Sequence, residues 1–377
     1  MVIQLFKPTF RTEECLEEIR ECLDKGWTGL GFKTVELEEK WKEYTGLPYA
    51  HFLGSATVGL DMAVRILKME NGWKDGDEII TTPLTFVSTN HAILYNDMKA
   101  VFADVDEYLC LDPKSVEEKI TKKTRAVIFV GLGGNSGKYD KIKEICKKHK
   151  LRLILDAAHM SGTRVNGKHV GHDCDVAVFS YQAVKNMPTA DSGMICFKEQ
   201  KYDEIARKLS WLGINKDTYA RSVSSKGAYK WKYDVEYLGY KNHGNSIMAA
   251  IGLVSLKYLD IDNAYRRQLA KWYEEDLKDC KKVTVIKTAP NCESSRHLFQ
   301  IMVNDRDKVM LALNEAEIYP GVHYRDNTEY KMYSYAKGTC PKAHEASEKL
   351  LSLPMHMKLT RNDVKFICEK IKEYMEM

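Results

Sequence analysis

The feature that most constrains the fold is an alternation of short apolar runs with helical patterns between residues 49 and 197. Each apolar run has the length and composition of a buried strand. Amphipathic stretches at 57–69 and 138–148 lie between the runs. Strands that alternate with helices build a largely parallel sheet, so the sequence predicts an α/β domain. The predicted strands are residues 78–81, 100–104, 126–130, 152–155, 176–179 and 194–197.

The chain has 377 residues, which is too long for one small core and suits a large domain with a smaller one. We expect a large domain over 1–250, which starts with a helical segment at 1–45, and a smaller C-terminal α/β domain over 251–377. Helical patterns at 12–25, 33–44 and 246–278 and strand-like runs at 283–286 and 297–303 underlie this division.

Composition excludes several classes of protein. The chain is 44% apolar and 29% charged, and its apolar runs are far too short to span a bilayer. Its net charge of +4 is spread over 57 basic and 53 acidic residues, which gives no support for nucleic-acid binding. The N-terminus lacks the features of a secretory signal, and the ten cysteines show no paired spacing. We therefore expect a soluble, cytoplasmic protein.

A lysine in a polar loop is the first candidate for chemistry. The predicted strand at 176–179 breaks into a loop that carries Ser180 and Lys185, and Gly193 ends this loop before the next strand. A lysine whose amine is desolvated, or lies beside another cation, loses enough of its pKa to form a Schiff base with an aldehyde. A solvated surface lysine is the alternative interpretation.

Two other segments place polar groups where predicted strands end. Asp156 follows a buried strand, and a carboxylate at such a position can hold the positive charge of a pyridinium nitrogen. Residues 53–60 form a small-residue turn that opens a helix, whose free N–H groups and Thr57 hydroxyl would bind a phosphate. A helix cap or turn would explain each segment by itself. Because ligands gather at the carboxyl ends of parallel strands, we expect Asp156, Ser180 and Thr57 to meet there.

These motifs, in this order, resemble those of the DegT/DnrJ/EryC1/StrS family of pyridoxal-phosphate-dependent sugar aminotransferases. The resemblance implies a fold-type I enzyme, with a mostly parallel seven-stranded sheet flanked by helices, and a homodimer whose active sites lie between subunits. It implies amino transfer from a donor, commonly L-glutamate, to a keto-sugar carried by a nucleotide. The segments that carry the resemblance are 55–60, 83–90, 156–159, 179–186, 239–250, 323–324 and 353–356.

The resemblance also implies roles for individual residues. Lys185 matches the lysine that forms the internal aldimine and carries a proton, Asp156 the partner of the pyridine nitrogen, and His159 the residue near the phenolic oxygen. These three are the expected catalytic residues. The expected cofactor contacts are the same three residues together with Ser55, Ala56, Thr57, Phe86, Ser180, Asn186 and Lys241, and the family needs no metal.

Three segments depart from the family's usual pattern. Ala56 stands where relatives usually have glycine before the phosphate-turn threonine. Residues 239–245 differ from the usual Gly-x-Asn-Tyr-Arg-Met, which in relatives helps to reach the cofactor phosphate of the neighbouring subunit, so the roles of Lys241 and His243 stay open. The loop at 131–135 lacks the commoner histidine-bearing sequence. These departures point to an unusual substrate.

Other histidines are given no catalytic role. The resemblance brings His297, His323 and His356 to the cofactor side of the site, but satisfied structural histidines would explain them equally well. The segment 166–175 holds two histidines and two aspartates, which could be drawn as a metal cluster. Its first residues, Asn-Gly-Lys-His-Val-Gly, are a turn pattern, so we expect no metal there.

Three functions on this fold stay open. The leading one is amino transfer to a nucleotide-linked 4-keto-6-deoxyhexose, with a 3-keto sugar as the alternative acceptor. The second is sugar dehydration, which the intact Lys185 disfavours because the dehydratases of this lineage have histidine in its place. The third is a non-catalytic regulatory or binding protein, which would be free to lose Asp156 or Lys185, and both are present.

Overall fold

The computed structural model describes residues 2–215 and 233–376, apart from the side chain of Glu376. Its helices are α1 (Thr12–Asp24), α2 (Phe32–Thr45), α3 (Ala56–Asn71), α4 (Val87–Leu94), α5 (Pro113–Lys119), α6 (Tyr139–His149), α7 (Gln200–Ser210), α8 (Ser246–Leu277), α9 (Arg306–Glu315), α10 (Pro341–Lys349) and α11 (Arg361–Glu376). Its strands are β1 (Tyr49–Leu53), β2 (Glu78–Thr81), β3 (Lys99–Phe102), β4 (Thr124–Val130), β5 (Arg152–Asp156), β6 (Arg164–Val165), β7 (Lys168–His169), β8 (Val176–Ser180), β9 (Gly193–Phe197), β10 (Val283–Val285), β11 (Cys292–Glu293), β12 (Phe299–Val303) and β13 (Leu350–Leu353). Short 3-10 turns lie at Leu132–Gly134, Asn327–Glu329 and Lys331–Ala336.

Seven strands form the central sheet, in the order β1-β9-β8-β5-β4-β2-β3. Strand β9 is antiparallel to both of its neighbours, and the pairs from β8 to β3 are parallel. The predicted α/β fold with a mostly parallel seven-stranded sheet is therefore confirmed. Strand β1 was not among the predicted strands, because His51 interrupts its apolar sequence. That histidine is buried against the α2 residue Glu38, which makes β1 part of the core.

Both faces of this sheet are covered. Along β4, Ile128 packs into the core shared with α3 and α4, whereas its neighbours Val127 and Phe129 pack into the core shared with α2 and α6. A strand buried on both faces needs apolar side chains at consecutive positions. This explains why the central strands could be read from the sequence as short continuous apolar runs.

A second sheet lies in the C-terminal part of the chain. Strands β10, β12 and β13 form an antiparallel sheet, whose core includes residues of α9, α11 and the end of α8. The N-terminal segment reaches this region, where Ile3 forms a parallel bridge with Ile318. The predicted division at residue 250 stays a prediction, and α8 runs across it. Within residues 2–215 and 233–376, none of the helices is long and apolar enough to cross a bilayer.

A close approach of backbone segments joins three elements at one end of the central sheet. Gly193 begins β9, and a Cβ atom added there would lie 2.6 Å from the Ala56 nitrogen and 2.8 Å from the Phe179 carbonyl oxygen. Only glycine fits this position without a shift of the backbone. The glycine thus lets β8 and β9 approach the first turn of α3, which brings Ser180 towards that turn.

A buried carboxylate ties the edge strand β1 to α2. Glu38 accepts hydrogen bonds from the Phe52 nitrogen at 2.8 Å, His51 Nδ1 at 2.9 Å and the Arg207 guanidinium at 2.9 Å. Burial by itself raises the pKa of Glu38, but the Arg207 guanidinium and His51 outweigh it and hold that pKa below its usual value. The ionised carboxylate therefore stabilises the strand that leads into the first turn of α3.

Replacing Glu38 should destabilise the protein. In Glu38→Ala the Phe52 N–H and the His51 ring lose their acceptor in a buried setting, and we expect the free energy of unfolding to fall by about 3 kcal/mol. The measurement is the urea unfolding curve. Glu39→Ala is the matched control, because the exposed Glu39 pairs with Lys42 on the surface and should change stability by less than about 0.5 kcal/mol. Equal stability of the two variants would contradict this account of β1.

Candidate active site

A cavity of about 470 Å³ opens where β5 and β8 end and α3 begins. Most of the predicted site residues line this cavity: Ser55, Ala56, Thr57, Phe86, Asp156, His159, Ser180 and Lys185. They come from four separate segments of the chain, 55–57, 86, 156–159 and 180–185. Ligand sites in parallel sheets lie at the carboxyl ends of the strands. Asp156 and Ser180 are the last residues of β5 and β8, so both lie at that edge of the sheet.

The Asp156 carboxylate is fixed from two directions. Its Oδ2 accepts the Thr89 hydroxyl at 2.7 Å, and its Oδ1 accepts the Ala158 N–H at 3.1 Å. Thr89 is itself in contact with the Thr85 hydroxyl at 2.9 Å. Burial raises the pKa of Asp156, whereas these two hydrogen bonds and the charge of Lys185 lower it in part. The buried carboxylate is therefore set to hold a cationic partner.

The Lys185 side chain is half-buried at the wall of the cavity. The side chain lines the cavity, and its Nζ makes no hydrogen bond or ion pair with the residues that the structure describes. Burial lowers the pKa of Lys185 from 10.5 to about 8, although the nearby Asp156 carboxylate acts in the opposite direction. At pH 7 roughly one amine in ten is then neutral, compared with about one in several thousand for an ordinary lysine. A neutral amine is the form that attacks a carbonyl carbon.

His159 has its proton on a defined nitrogen. The Gly133 N–H donates to His159 Nδ1 at 3.1 Å, so Nδ1 is an acceptor and the proton of the neutral ring is on Nε2. That Nε2 lies 3.2 Å from the Tyr324 hydroxyl. Burial, together with the charges of Lys185 and His323, holds the pKa of His159 well below its usual value. The ring is therefore a neutral hydrogen-bond donor towards the cavity.

The first turn of α3 can hold an anion. Ser55 caps this helix, with its Oγ accepting the Val58 N–H at 3.3 Å. The N–H groups of Ala56 and Thr57 occupy the first turn, where amides have no partner within the helix and the helix dipole is positive. The Ser180 hydroxyl lines the same cavity from the end of β8. A phosphate fits this donor set without requiring a cationic side chain.

Aromatic rings form the remaining walls of the cavity. Phe86 is 57% exposed and contacts the Tyr324 ring at a centroid distance of 6.0 Å. Phe6 stacks on His297 at 5.3 Å with an interplanar angle of 9°, and meets the edge of His323 at 5.7 Å. These rings line the same cavity as Lys185.

Two predicted cofactor contacts lie outside the cavity lining. The Asn186 side chain is buried and bonds to Asn263, to the Ser295 carbonyl and to His297. Lys241 is exposed, with its Nζ 5.1 Å from the centre of the Trp211 ring. Their assignment as cofactor contacts stays a prediction.

Of the histidines that the sequence left open, His297 and His323 line the cavity, whereas His356 does not. The histidines and aspartates of the segment 166–175, which could be drawn as a metal cluster, each have their own hydrogen-bond or ion-pair partner. His169 bonds to Gly162 and Val170, His172 to Thr45, Asp173 to Lys143, and Asp175 to Arg152 and Leu153. Among the described residues, the ligand atoms that approach one another closely enough for a metal belong to the buried Asp326, the half-buried Glu329 and the exposed His344.

Sequence reasoning assigned no role to three residues of the site. Thr89 lies in the first turn of α4 and Thr85 just before that helix, and nothing in the sequence directs Thr89 at Asp156. Tyr324 was noted only as part of a family motif. Phe6 had no signal, because it reaches the cavity through the pairing of the N-terminal segment with the C-terminal part of the chain.

The fold and the site define the class of protein. A largely parallel sheet with a poorly solvated lysine, a buried carboxylate and a helix N-terminus around one cavity is the arrangement of a pyridoxal-phosphate-dependent aminotransferase. The model of the DegT/DnrJ/EryC1/StrS aminotransferase family matches residues 10–372. The chain belongs to this family.

Relatives of known name agree with this assignment. The spore coat polysaccharide biosynthesis protein SpsC of Bacillus subtilis is 31% identical over 373 residues, which cover 96% of this chain and 94% of SpsC. Helicobacter pylori PseC, an aminotransferase involved in the biosynthesis of pseudoaminic acid, matches with a TM-score of 0.91 and 25% identity, over 100% of both chains. The PLP form of Spr1654 from Streptococcus pneumoniae matches with a TM-score of 0.90 and 27% identity, over 100% of this chain and 99% of that one.

The cavity fits pyridoxal phosphate. Its three recognition groups match the three polar regions of the cofactor: the amine of Lys185 suits the aldehyde, the carboxylate of Asp156 suits the ring nitrogen, and the first turn of α3 suits the phosphate. The absence of a side chain at Gly193 keeps the backbone segments around that turn close together. A volume of about 470 Å³ leaves room for a second molecule beside the cofactor.

The lowered pKa of Lys185 predicts how the protein captures its cofactor. Pyridoxal phosphate is added to cofactor-free protein, and the visible absorbance of the bound cofactor is followed. The rate at which this absorbance appears should rise as the pH increases through about 8. In Asp156→Asn the midpoint should move to lower pH, since the carboxylate that favours the charged amine is gone. Lys185→Ala is the control and should gain no such spectrum. A midpoint that stays in place or moves upward in Asp156→Asn would contradict the coupling of these two residues.

Proposed function

We propose that this aminotransferase moves an amino group from L-glutamate to a keto-sugar carried by a nucleotide, with a 4-keto-6-deoxyhexose as the favoured acceptor. The observation that carries the proposal is the pairing of a poorly solvated amine, Lys185, with the buried carboxylate of Asp156 across one cavity. The names of the relatives support a sugar acceptor, because SpsC is named for polysaccharide biosynthesis and PseC for that of pseudoaminic acid.

Three residues of the cavity would have separate roles in such a reaction. When bound, pyridoxal phosphate supplies an electron sink for the bonds of the amino-bearing carbon. Asp156 would hold the proton on the ring nitrogen, and the Nε2–H of His159 would donate to the phenolic oxygen. The Lys185 amine, when it is free, would take the proton from the α-carbon of the donor, because its pKa of about 8 lies near the pH of a cell.

The aromatic lining of the cavity supports a sugar as the acceptor. Phe6, Phe86 and Tyr324 line the same cavity as Lys185, and His297 and His323 add neutral polar groups. An aromatic wall with a few hydrogen-bonding groups suits a sugar ring, which has apolar faces and hydroxyl edges. The acceptor would occupy this part of the cavity.

The other functions considered are less well supported. A dehydratase on this fold would be expected to lack the lysine, and Lys185 lines the cavity. A regulatory protein would have no need to keep Lys185 at a lowered pKa beside Asp156. A 3-keto sugar is the alternative acceptor, and the comparison of acceptors described below distinguishes it from the 4-keto compound.

We further propose a homodimer with shared active sites in the cytoplasm. Lys241 is exposed and lies outside the cavity of its own chain, as expected for a residue that reaches the cofactor phosphate of a partner subunit. All ten cysteines lie within the described residues and are free thiols, which suits a reducing compartment.

The test of the proposed reaction follows both half-reactions by absorbance. Protein loaded with pyridoxal phosphate should show a visible band that disappears on addition of L-glutamate and returns on addition of a nucleotide-linked keto-sugar. The acceptors to be compared are 4-keto-6-deoxyhexoses and 3-keto-hexoses on the same nucleotide, and we expect the 4-keto compound to restore the band faster. Mass spectrometry of the product should find an amino sugar.

The control for this test is Lys185→Ala, which should bind the cofactor weakly and lose almost all of the glutamate response. A native protein whose band is unchanged by glutamate and by other amino acids would contradict amino transfer. A band that responds to glutamate but that no keto-sugar restores would contradict the acceptor and leave the first half-reaction in place.

The dimer is tested separately by sedimentation. We expect the loaded protein to sediment as a dimer, and we expect Lys241→Ala to keep the dimer but to release pyridoxal phosphate more readily, because a phosphate contact across the interface is lost. Lys201→Ala is the control, since this lysine lies on the surface beside Glu199 and Glu70. A monomer with full activity would contradict the shared site.

A further inference from the structure

A chain of buried amides ends at a histidine of the cavity. Asn263 Nδ2 donates to the Ser161 carbonyl at 2.9 Å, so Asn263 Oδ1 is the acceptor of its amide. That oxygen accepts a hydrogen bond from Asn186 Nδ2 at 2.7 Å, and the same Nδ2 donates to the Ser295 carbonyl at 2.7 Å. Carbonyl oxygens can only accept hydrogen bonds. The Ser161 carbonyl therefore fixes the orientation of the Asn263 amide, and the Ser295 carbonyl that of the Asn186 amide. Asn186 Oδ1 is thereby left as the acceptor for the next group.

The next group is the His297 ring. His297 Nδ1 lies 2.9 Å from Asn186 Oδ1. Since Asn186 Oδ1 can only accept, the proton of the neutral imidazole must be on Nδ1, and Nε2 must carry a lone pair. This is the opposite tautomer to that of His159, in which a backbone N–H occupies Nδ1.

The ring is also held in its plane. Phe6 stacks on it at 5.3 Å with an interplanar angle of 9°, and the backbone that leads into Phe6 is hydrogen-bonded. Ile3 exchanges hydrogen bonds with Glu317 and Tyr319 at 2.9 Å each, and the Leu5 carbonyl accepts the Met355 N–H at 2.9 Å. His297 lines the cavity, and its Nε2 bonds to none of the residues that the structure describes.

We propose that Asn186 is a positioning residue that holds His297 with its proton on Nδ1, so that Nε2 accepts a hydrogen bond from a hydroxyl group of the acceptor substrate. This inference deepens the proposed function, on which the identity of the acceptor rests. His297 is then a substrate-binding residue, and Asn186 acts on the substrate only through it.

The charges around the ring keep it neutral. Burial lowers the pKa of His297 well below its usual value, and the nearby His159, Lys185, Arg266 and His323 lower it further. Each of these groups is cationic or can become so, and Asn186 contributes no negative charge. A second positive charge beside Lys185 would also oppose protonation of that amine. The lone pair on Nε2 is thus available throughout the pH range in which an enzyme of this kind works.

The direct test is the tautomer itself, which can be measured without any substrate. In cofactor-loaded protein with ¹⁵N-labelled histidine, the ring signals that disappear in His297→Gln belong to His297. We expect a neutral ring with a protonated Nδ1 and an unprotonated Nε2, unchanged between about pH 6 and pH 8. A protonated Nε2 in the native protein would overturn the proposal, whatever the outcome of the activity measurements.

The second test changes the charge of the positioning residue. In Asn186→Asp a carboxylate faces Nδ1, and the two hydrogen bonds that Asn186 Nδ2 donates to Asn263 and Ser295 are lost. The pKa of His297 should rise, and Nε2 should become protonated at the lower end of this range. The KM for the keto-sugar should then rise about tenfold, the effect of losing one hydrogen bond, and should recover as the pH increases past the raised pKa. The glutamate half-reaction should change much less.

Asn96→Ala is the matched control. This asparagine is also buried, and its amide donates to Asp61 and Ala92, away from the cavity. The variant should lose stability but keep the native pH profile and the native His297 signals. An Asn186→Asp profile identical to that of Asn96→Ala would show that Asn186 is merely structural. The tautomer of His297 is measured without substrate, so its result does not depend on whether the keto-sugar is the acceptor. The proposed acceptor and the role of Asn186 can therefore be contradicted independently.

Discussion

The active site depends on keeping the amine of Lys185 away from water. Desolvation lowers its pKa to about 8, and the residues placed around it determine how far this effect goes. Asp156 is close enough to favour the charged amine, which prevents the pKa from falling further. Its own carboxylate is held in place by the Thr89 hydroxyl and the Ala158 N–H. The central sheet makes this possible, because the carboxyl ends of β5 and β8 bring Asp156 and the Lys185 loop to the same cavity.

Neutral polar groups complete the pocket at little electrostatic cost to that amine. Burial holds the pKa of His159 and His297 well below the usual value and that of His323 at about 4, so these rings do not add charge beside Lys185. Each ring is nevertheless directional. Gly133 makes His159 a donor at Nε2, whereas Asn186 makes His297 an acceptor at the same atom. Tautomers fixed from outside the cavity therefore give it a pattern of donors and acceptors.

Much of this arrangement could be predicted from the sequence, and the limits have physical reasons. The central strands were readable because burial on both faces requires continuous apolar runs, as in β4 and β5. Strand β1 was not predicted because His51 interrupts its apolar run. Only the structure shows that this histidine is buried and hydrogen-bonded to Glu38. The predicted residues that line the cavity follow strands or open helices, so local patterns located them. Phe6 and the link from Asn186 to His297 depend on contacts between distant parts of the chain, which no local pattern encodes.

The central claim, that Lys185 is the residue that holds the cofactor, is tested most directly by chemical trapping. The loaded protein is reduced with borohydride and digested, and the peptides are examined by mass spectrometry. The account predicts that the mass of reduced pyridoxal phosphate is attached to the peptide containing Lys185, in an amount close to one per chain. It also predicts that Lys185→Ala carries no such label. Stoichiometric label on a different lysine, with Lys185 unmodified, would contradict the account.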